Sequence, residues 1–257
     1  MACASLFRWT SAACSDVGLV REINEDSCLD EPARGLWAVA DGMGGHTLGD
    51  FASQMVVDHL RRLDESPDNP GDRVEAARQR LQAVNWRLRE EAASREVRII
   101  GSTVVVLLAC DPFCAYLWAG DSRLYLYRGG LLRQLTRDHN QFEEFKARGD
   151  VDPDEFLDFP VRNLITRAVG AVDTLTLDHQ TIAVNDGDMF LLCSDGLSNE
   201  VSDAEMSHVL LTGNCRQAAE SLVDMALRQG GRDNISAIVV RAEDPDSLDR
   251  TMVNPAL

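Results

Sequence analysis

The stretch Gly35-Leu36-Trp37-Ala38-Val39-Ala40-Asp41-Gly42-Met43-Gly44-Gly45-His46 decides how the chain is read. An apolar run of strand length, too short for a buried helix, ends on a carboxylate followed by glycines. The pattern recurs at Met189-Phe190-Leu191-Leu192-Cys193, which runs through Ser194 into Asp195-Gly196. A third aspartate, Asp233, stands just ahead of another such run, Ile235-Ser236-Ala237-Ile238-Val239-Val240. Glycines let backbone approach closely, and carboxylates at strand ends are a means of gathering oxygen ligands around hard divalent cations. Any one Asp-Gly pair is more often an ordinary turn. The expectation that Asp41, Asp195 and Asp233 converge rests on their recurrence at strand ends.

Composition bounds the rest. A chain of 257 residues with 45% hydrophobic content is enough for one large domain with a sizeable core. The net charge of −17 and pI near 4.6 oppose nucleic-acid binding and favour recruitment of cations. Seven cysteines, none in a Cys-x-x-Cys pair, give no zinc ribbon or thioredoxin-like site. Cys110, Cys114 and Cys193 read as small core residues, and reduced thiols point to a cytoplasmic protein. The first residues lack the pattern of a signal peptide. The longest purely apolar run, Val104 to Cys110, is too short to span a bilayer, so no membrane partner is expected.

Outward from the opening motif, Phe51, Met55, Val56, Leu60 and Leu63 predict one helical face. After breakers at Pro67, Pro70 and Gly71, Asp72 and Glu75 form a capping-box pattern ahead of a second helix reaching about Ser94. Its stripe is Val74, Ala77, Leu81, Val84 and Leu88. Strands are predicted at 102–110, 113–119, 124–128 and 132–135, with Gly120-Asp121-Ser122-Arg123 as a turn between paired strands. The segment from about 141 to 162 reads as a long insertion. Ser202 and Glu205 cap a further helix, and another covers about 216–229 with Ala219, Leu222, Val223 and Ala226 on one face. The predicted class is α+β: stacked antiparallel sheets with helices outside. The domain is expected to span residues 1–241, and residues 242–257 to form a polar tail.

Further segments complete an ordered series: Arg21-x-x-Asn24-Glu25-Asp26, Asp41-Gly-Met-Gly-Gly-His46, Gly101-Ser-Thr103, Gly120-Asp-Ser-Arg123, Leu135-Thr-x-Asp138-His139, Ile165-Thr-Arg-Ala-Val-Gly170, Ser194-Asp-Gly-Leu197 and Gly231-x-Asp233-Asn-Ile235. The series strongly resembles the protein phosphatase 2C family, the metal-dependent Ser/Thr phosphatases, in its compact bacterial form. The resemblance covers residues 10 to 241. It implies a four-layer α-β-β-α sandwich, two antiparallel sheets flanked by helix pairs, with a flap at about 141–162. It implies two Mn²⁺ or Mg²⁺ ions and a site for a third.

By that resemblance Asp41 bridges the two ions and Gly42 offers its carbonyl to one of them. Asp195 and Asp233 bind the other, and Arg21 clamps the substrate phosphate. Glu25 or Asp26 acts on metal through water, Asp121 matches the third-metal position, and Asn234 orients a metal-bound water. Thr103, Ser122 and Arg123 match family positions and read as support. The implied reaction is hydrolysis of phosphoserine or phosphothreonine by a water bridging the ions. The implied partners are phosphoproteins and the pathway of a cognate Ser/Thr kinase, with type VI secretion control as one setting; the protein is expected to be a monomer. The other readings are a weakly active phosphatase-fold sensor and a phosphatase of a sigma-factor antagonist.

Two positions depart from the wider family pattern. Met43 stands where many eukaryotic relatives carry a histidine, and Asp158-Phe159-Pro160 stands where bacterial relatives often have Asn-His-Pro. The general acid is therefore unassigned, and His46 and His139 are the residues weighed for it, each reading more readily as structural.

Overall fold

A computed structural model describes residues 6–44, 48–63, 70–148, 164–212 and 214–246. One sheet has the order β1-β11-β10-β7-β8, from Arg8–Asp16, Ile235–Glu243, Met189–Cys193, Arg123–Arg128 and Leu131–Gln134. The other runs β2-β3-β5-β6-β9, from Asp26–Glu31, Leu36–Met43, Val104–Cys110, Phe113–Ala119 and Asp178–Ala183, with β4 (Gly101–Ser102) pairing the end of β3. Every pairing is antiparallel.

The apolar runs lack strict alternation because both faces of each inner strand are covered. In β3, Leu36, Ala38 and Ala40 face the helices α1 (Leu48–Arg61) and α2 (Pro70–Ser94). Trp37 and Val39 face the opposite way, into the space between the sheets, where they meet Val105, Leu107, Phe190, Leu192, Ile238 and Val240. Leu191 and Cys193 of β10, with Ala237 and Val239 of β11, face α5 (Asp203–Thr212) and α6 (Cys215–Gln229). The result is the α-β-β-α sandwich expected. Among its inter-sheet contacts, Trp9 packs on Trp37 with centroids 5.3 Å apart, and Trp37 Nε1 donates to Ser11 Oγ at 3.0 Å.

Several local expectations hold and several do not. The α2 and α6 stripes are buried as predicted. Ser202 caps α5: its N–H and hydroxyl donate to Glu205 Oε2 at 2.9 and 2.6 Å. On α1 the buried face is Ala52, Ser53, Val56, Val57 and Leu60, while Phe51 is 37% exposed. The α2 helix begins at Pro70, so Asp72 lies within the first turn, favourable to the helix dipole there, and does not cap it. The predicted turn between paired strands is a different device. Strand β6 pairs with β5 and β9, whereas β7 pairs with β10 and β8, so Gly120-Asp121-Ser122 carries the chain from one sheet to the other. Gly120 permits this crossing at φ +113°, where a Cβ would sit 2.7 Å from Thr103. Strand β9 was not anticipated, and β11 continues to Glu243, past the expected tail boundary. Of the flap, α3 (Gln141–Arg148) is described; Asp158-Phe159-Pro160 lies outside the described residues, as does His46.

Candidate metal centre

Strand register brings the first carboxylates together. Asp26 opens β2 and Asp41 lies near the end of β3, and the two are direct partners in the antiparallel ladder. Thr103 fixes Asp41 from the other side: its Oγ1 accepts from the Asp41 N–H at 3.1 Å, and its own N–H donates to the Asp41 carbonyl at 2.8 Å. Ser122 holds the same Thr103 hydroxyl at 2.7 Å. The supporting roles expected of Thr103 and Ser122 are thus visible as contacts.

Close backbone packing builds the remainder. A Cβ on Gly42 would fall 1.9 Å from the Gly49 carbonyl oxygen and 2.8 Å from that of Glu25. Gly49 N–H donates to Glu25 Oε1 at 3.2 Å, so the start of α1 holds the Glu25 carboxylate. Asp195 opens the short helix α4 (Asp195–Ser198). Its neighbour Gly196 lies so close to the Asp233-Asn234 segment that a Cβ would meet the Asn234 carbonyl at 2.0 Å. Ser194 donates to Asp26 Oδ2 at 2.7 Å, tying β10 to β2 across the sandwich.

The electrostatics show the convergence. Burial pushes Asp41 well above the usual carboxylate range, and the charges of Asp26, Asp195, Asp121 and Asp233 push it further. Burial raises Asp26 to about 7; hydrogen bonds from Ser194 and Ser236 oppose the shift, and Asp195 and Asp233 add to it. Asp121 is raised to about 7, again first by burial and then by the charges of Asp195 and Asp138. Asp195 is raised by burial and by Asp233. Arg21 Nη2 donates to Asp233 Oδ2 at 2.8 Å with its side chain half exposed, leaving most of its guanidinium donors open to a ligand.

These residues fit hard divalent cations. Asp26 Oδ1 and Asp121 Oδ1 are buried with no protein hydrogen-bond partner, an arrangement that a cation, a proton or a bound water satisfies. The donors are all oxygens, the set that suits Mg²⁺ and Mn²⁺. Among the described residues no three His, Cys, Asp or Glu side chains close into a ready cage. The carboxylates act on one another through their charges without closing into such a group.

Two sequence candidates are otherwise engaged. Asn234 spends its amide on the backbone: Oδ1 accepts from Glu25 N–H at 2.8 Å, and Nδ2 donates to the carbonyls of Val17 and Ile23 at 2.8 and 2.9 Å. Both amide protons are taken, so it straps down the Arg21 loop, and the second lone pair of Oδ1 is what it has left for a water. His139 is also committed. Nδ1 accepts from Gly120 N–H at 3.2 Å, Nε2 bonds Asp178 at 3.2 Å, and the ring stacks on Trp118 at 5.9 Å. It braces the loop that carries Asp121. Arg123 makes a forked pair with Asp138, with contacts of 2.8 to 3.1 Å. Sequence reasoning assigned no role to Gly49 or Ser194: the glycine carried no signal, and the serine was visible only as a neighbour of Asp195.

A family model described as protein phosphatase 2C matches residues 20–230. The chain is 37% identical over 243 residues to the serine/threonine protein phosphatase PstP of Mycobacterium tuberculosis, covering 91% of this chain but 45% of that protein, so it spans about half of that relative's length. It is 33% identical over 239 residues to protein phosphatase PhpP of Streptococcus pneumoniae, covering 91% of this chain and 97% of the relative. Among solved structures, PppA, a key regulatory component of T6SS in Pseudomonas aeruginosa, superposes with a TM-score of 0.85 at 45% identity, over 91% of this chain and 97% of that one. The catalytic domain of PstP in complex with two manganese ions superposes with a TM-score of 0.81 at 33% identity, over 93% and 100%.

Proposed function

The chain belongs to the protein phosphatase 2C family, and we propose that it is a metal-dependent protein phosphatase that hydrolyses phosphoserine and phosphothreonine. The observation that carries this is the convergence of Asp26, Asp41, Asp121, Asp195 and Asp233 on one electrostatically coupled site, with two buried carboxylate oxygens unpartnered. Asp41 with the Gly42 carbonyl, Asp195 and Asp233 would hold two ions, Asp121 would serve a third, and Glu25 or Asp26 would act through water. Manganese is supported by the manganese complex of PstP, and magnesium by the same oxygen donors. Bound there, the ions acidify water and offset phosphoryl charge.

The chain's own residues do the positioning. Arg21 offers the phosphate a planar fork of donors, and its bond to Asp233 fixes the fork beside the metal centre. The Asn234 strap holds the Arg21 loop rigid, and Thr103 and Ser122 fix the backbone of Asp41. His139 has both ring nitrogens engaged and serves as a brace, not a proton donor.

The substrates are phosphoproteins of a Ser/Thr kinase pathway. The likeness to PppA supports a setting in T6SS control, and we infer a cytoplasmic monomer. Among the described residues no helix is long and apolar enough to cross a membrane. The test is phosphate release from a phosphothreonine peptide with Mn²⁺, with EDTA, and with Asp233→Asn. Activity is expected only with metal and the intact carboxylate; turnover that survives EDTA would overturn the two-metal assignment.

A further inference from the structure

The loop between β1 and β2 carries Arg21 between exposed apolar residues. Leu19 is 69% exposed, Val20 66% and Ile23 40%. Isolated apolar residues at a surface are ordinary, but three within five positions, on either side of the proposed phosphate clamp, are a local concentration of exposed apolar side chains. The chain does not leave them out through looseness. Gly18 N–H donates to Asp16 Oδ1 at 2.8 Å, Leu19 N–H to the Gly231 carbonyl at 2.7 Å, and Asn24 Nδ2 to Ser15 Oγ at 2.9 Å. Asn234 grips the carbonyls of Val17 and Ile23. Gly18 takes φ +80° and lies so close to Asp233 that a Cβ would meet its carbonyl oxygen at 2.2 Å. The loop is pinned to the segment that bears Asp233, so its apolar side chains keep a fixed place relative to the site.

We propose that Leu19, Val20 and Ile23 form a specificity surface that binds apolar residues flanking the phosphoresidue of the substrate. The inference rests on the phosphatase reading and adds to it a class of substrate sequence. Leu19 and Ile23 are two residues from Arg21 and Val20 is one, so their Cα atoms lie within about 7 Å of it. An extended substrate advances about 3.3 Å per residue. With its phosphate on Arg21, the side chains that reach this patch are those within about two or three positions of the phosphoresidue. Their burial against a pre-ordered apolar surface is favourable and carries little ordering cost. The chain's charge of −17 disfavours acidic flanks only, so the preference for apolar over neutral polar neighbours rests on the patch itself.

The test uses two phosphothreonine peptides alike except that the neighbouring positions are Leu and Val in one and Ser and Asn in the other. N-acetyl-phosphothreonine amide, which has no flanks, is the reference. Turnover with Mn²⁺ is measured alongside the binding of non-hydrolysable phosphonate versions of both peptides. The wild type should bind the apolar-flanked phosphonate about tenfold more tightly. Leu19→Ser/Val20→Ser should abolish that preference while leaving the polar-flanked peptide and the flankless substrate within about twofold of wild type. Val20→Ser alone, at a side chain 66% exposed, should lose part of it. Equal binding of the two phosphonates by the wild type, or a variant that weakens on both alike, would overturn the proposal. Discrimination in binding without turnover of any substrate would uphold the surface and defeat the phosphatase reading instead.

Discussion

Asn234→Ala isolates the strap that holds the Arg21 loop. The native amide makes three hydrogen bonds of 2.8 to 2.9 Å, to Glu25 N–H and to the carbonyls of Val17 and Ile23, and Asn234 is 5% exposed. Each such bond contributes about 1 kcal/mol net, and more where the partner is left buried and unsatisfied. Val17 and Ile23 lie near solvent and can recover some hydration, so the total is about 2–3 kcal/mol rather than the upper bound. For a domain of this size that lowers the melting temperature by roughly 5–10 °C. The assay is reversible urea unfolding, in EDTA and again with Mn²⁺. The loss should be the same size in both, because the three bonds are protein to protein. The KM for phosphopeptide should rise, since Arg21 loses its fixed place. Asn234→Asp keeps the acceptor for Glu25 N–H and loses both donors, and it adds charge beside the carboxylates; its loss should be at least as large. A change below about 0.5 kcal/mol in EDTA, with a larger one only in Mn²⁺, would refute the strap and return Asn234 to the metal shell.

Metal should stabilise the fold by relieving carboxylate repulsion. At 100 times its dissociation constant Mn²⁺ adds about 2.7 kcal/mol. In EDTA at neutral pH, Asp41→Asn should melt above wild type, because desolvation and the charges of Asp26, Asp195, Asp121 and Asp233 make this carboxyl costly to keep ionised or to protonate, and an amide avoids both; thermal melts with and without Mn²⁺ decide this, and a variant that melts lower in EDTA counts against the crowding argument. His139→Gln tests the brace. Burial and Arg167 hold the histidine below its usual pKa, opposed by Asp178 and Asp138. Its contribution to stability is therefore complete above the unfolded value near 6.5 and is lost as pH falls through the depressed folded value. The stability gap between wild type and variant should shrink as pH drops below about 6.5, while turnover above pH 7 stays within about threefold. Loss of activity with disappearance of a limb in the pH profile would make His139 the proton donor.

What could be read from the sequence follows from how far apart the interacting residues lie. Runs such as Leu36 to Ala40 and Met189 to Cys193 announce buried strands because both faces are covered, by helices on one side and the opposite sheet on the other. The same double burial erases the alternation that would indicate a partner, so pairing stayed hidden. Strands β6 and β7 look like a hairpin and belong to different sheets. Strand β9 escaped notice because it is an edge strand with a mostly exposed sequence, Asp178-His179-Gln180-Thr181-Ile182-Ala183. The face of α1 was rotated by one residue at its start: Met55, Val56, Leu60 and Leu63 pack on the core as the stripe predicts, but close approach to the sheet selects the small Ala52 and Ser53 in place of Phe51.

The carboxylates were legible for a different reason. A strand end followed by Asp and glycine is a local pattern, and its recurrence can be seen without knowing any contact. The residues that hold the carboxylates in place have no such pattern. Ser194 bonds Asp26 across 168 positions, and Asn234 reaches Ile23 across 211. Asn234 is the instructive case: the family resemblance implied a role with a metal-bound water, and counting its donors shows a backbone strap that no sequence pattern announced. A side chain's job at such a site is set by how many of its hydrogen-bonding groups remain unspent after folding. By that measure the unspent groups are the free oxygens of Asp26 and Asp121 and the outer donors of Arg21. Cations and a phosphate are the ligands that satisfy both kinds of group together.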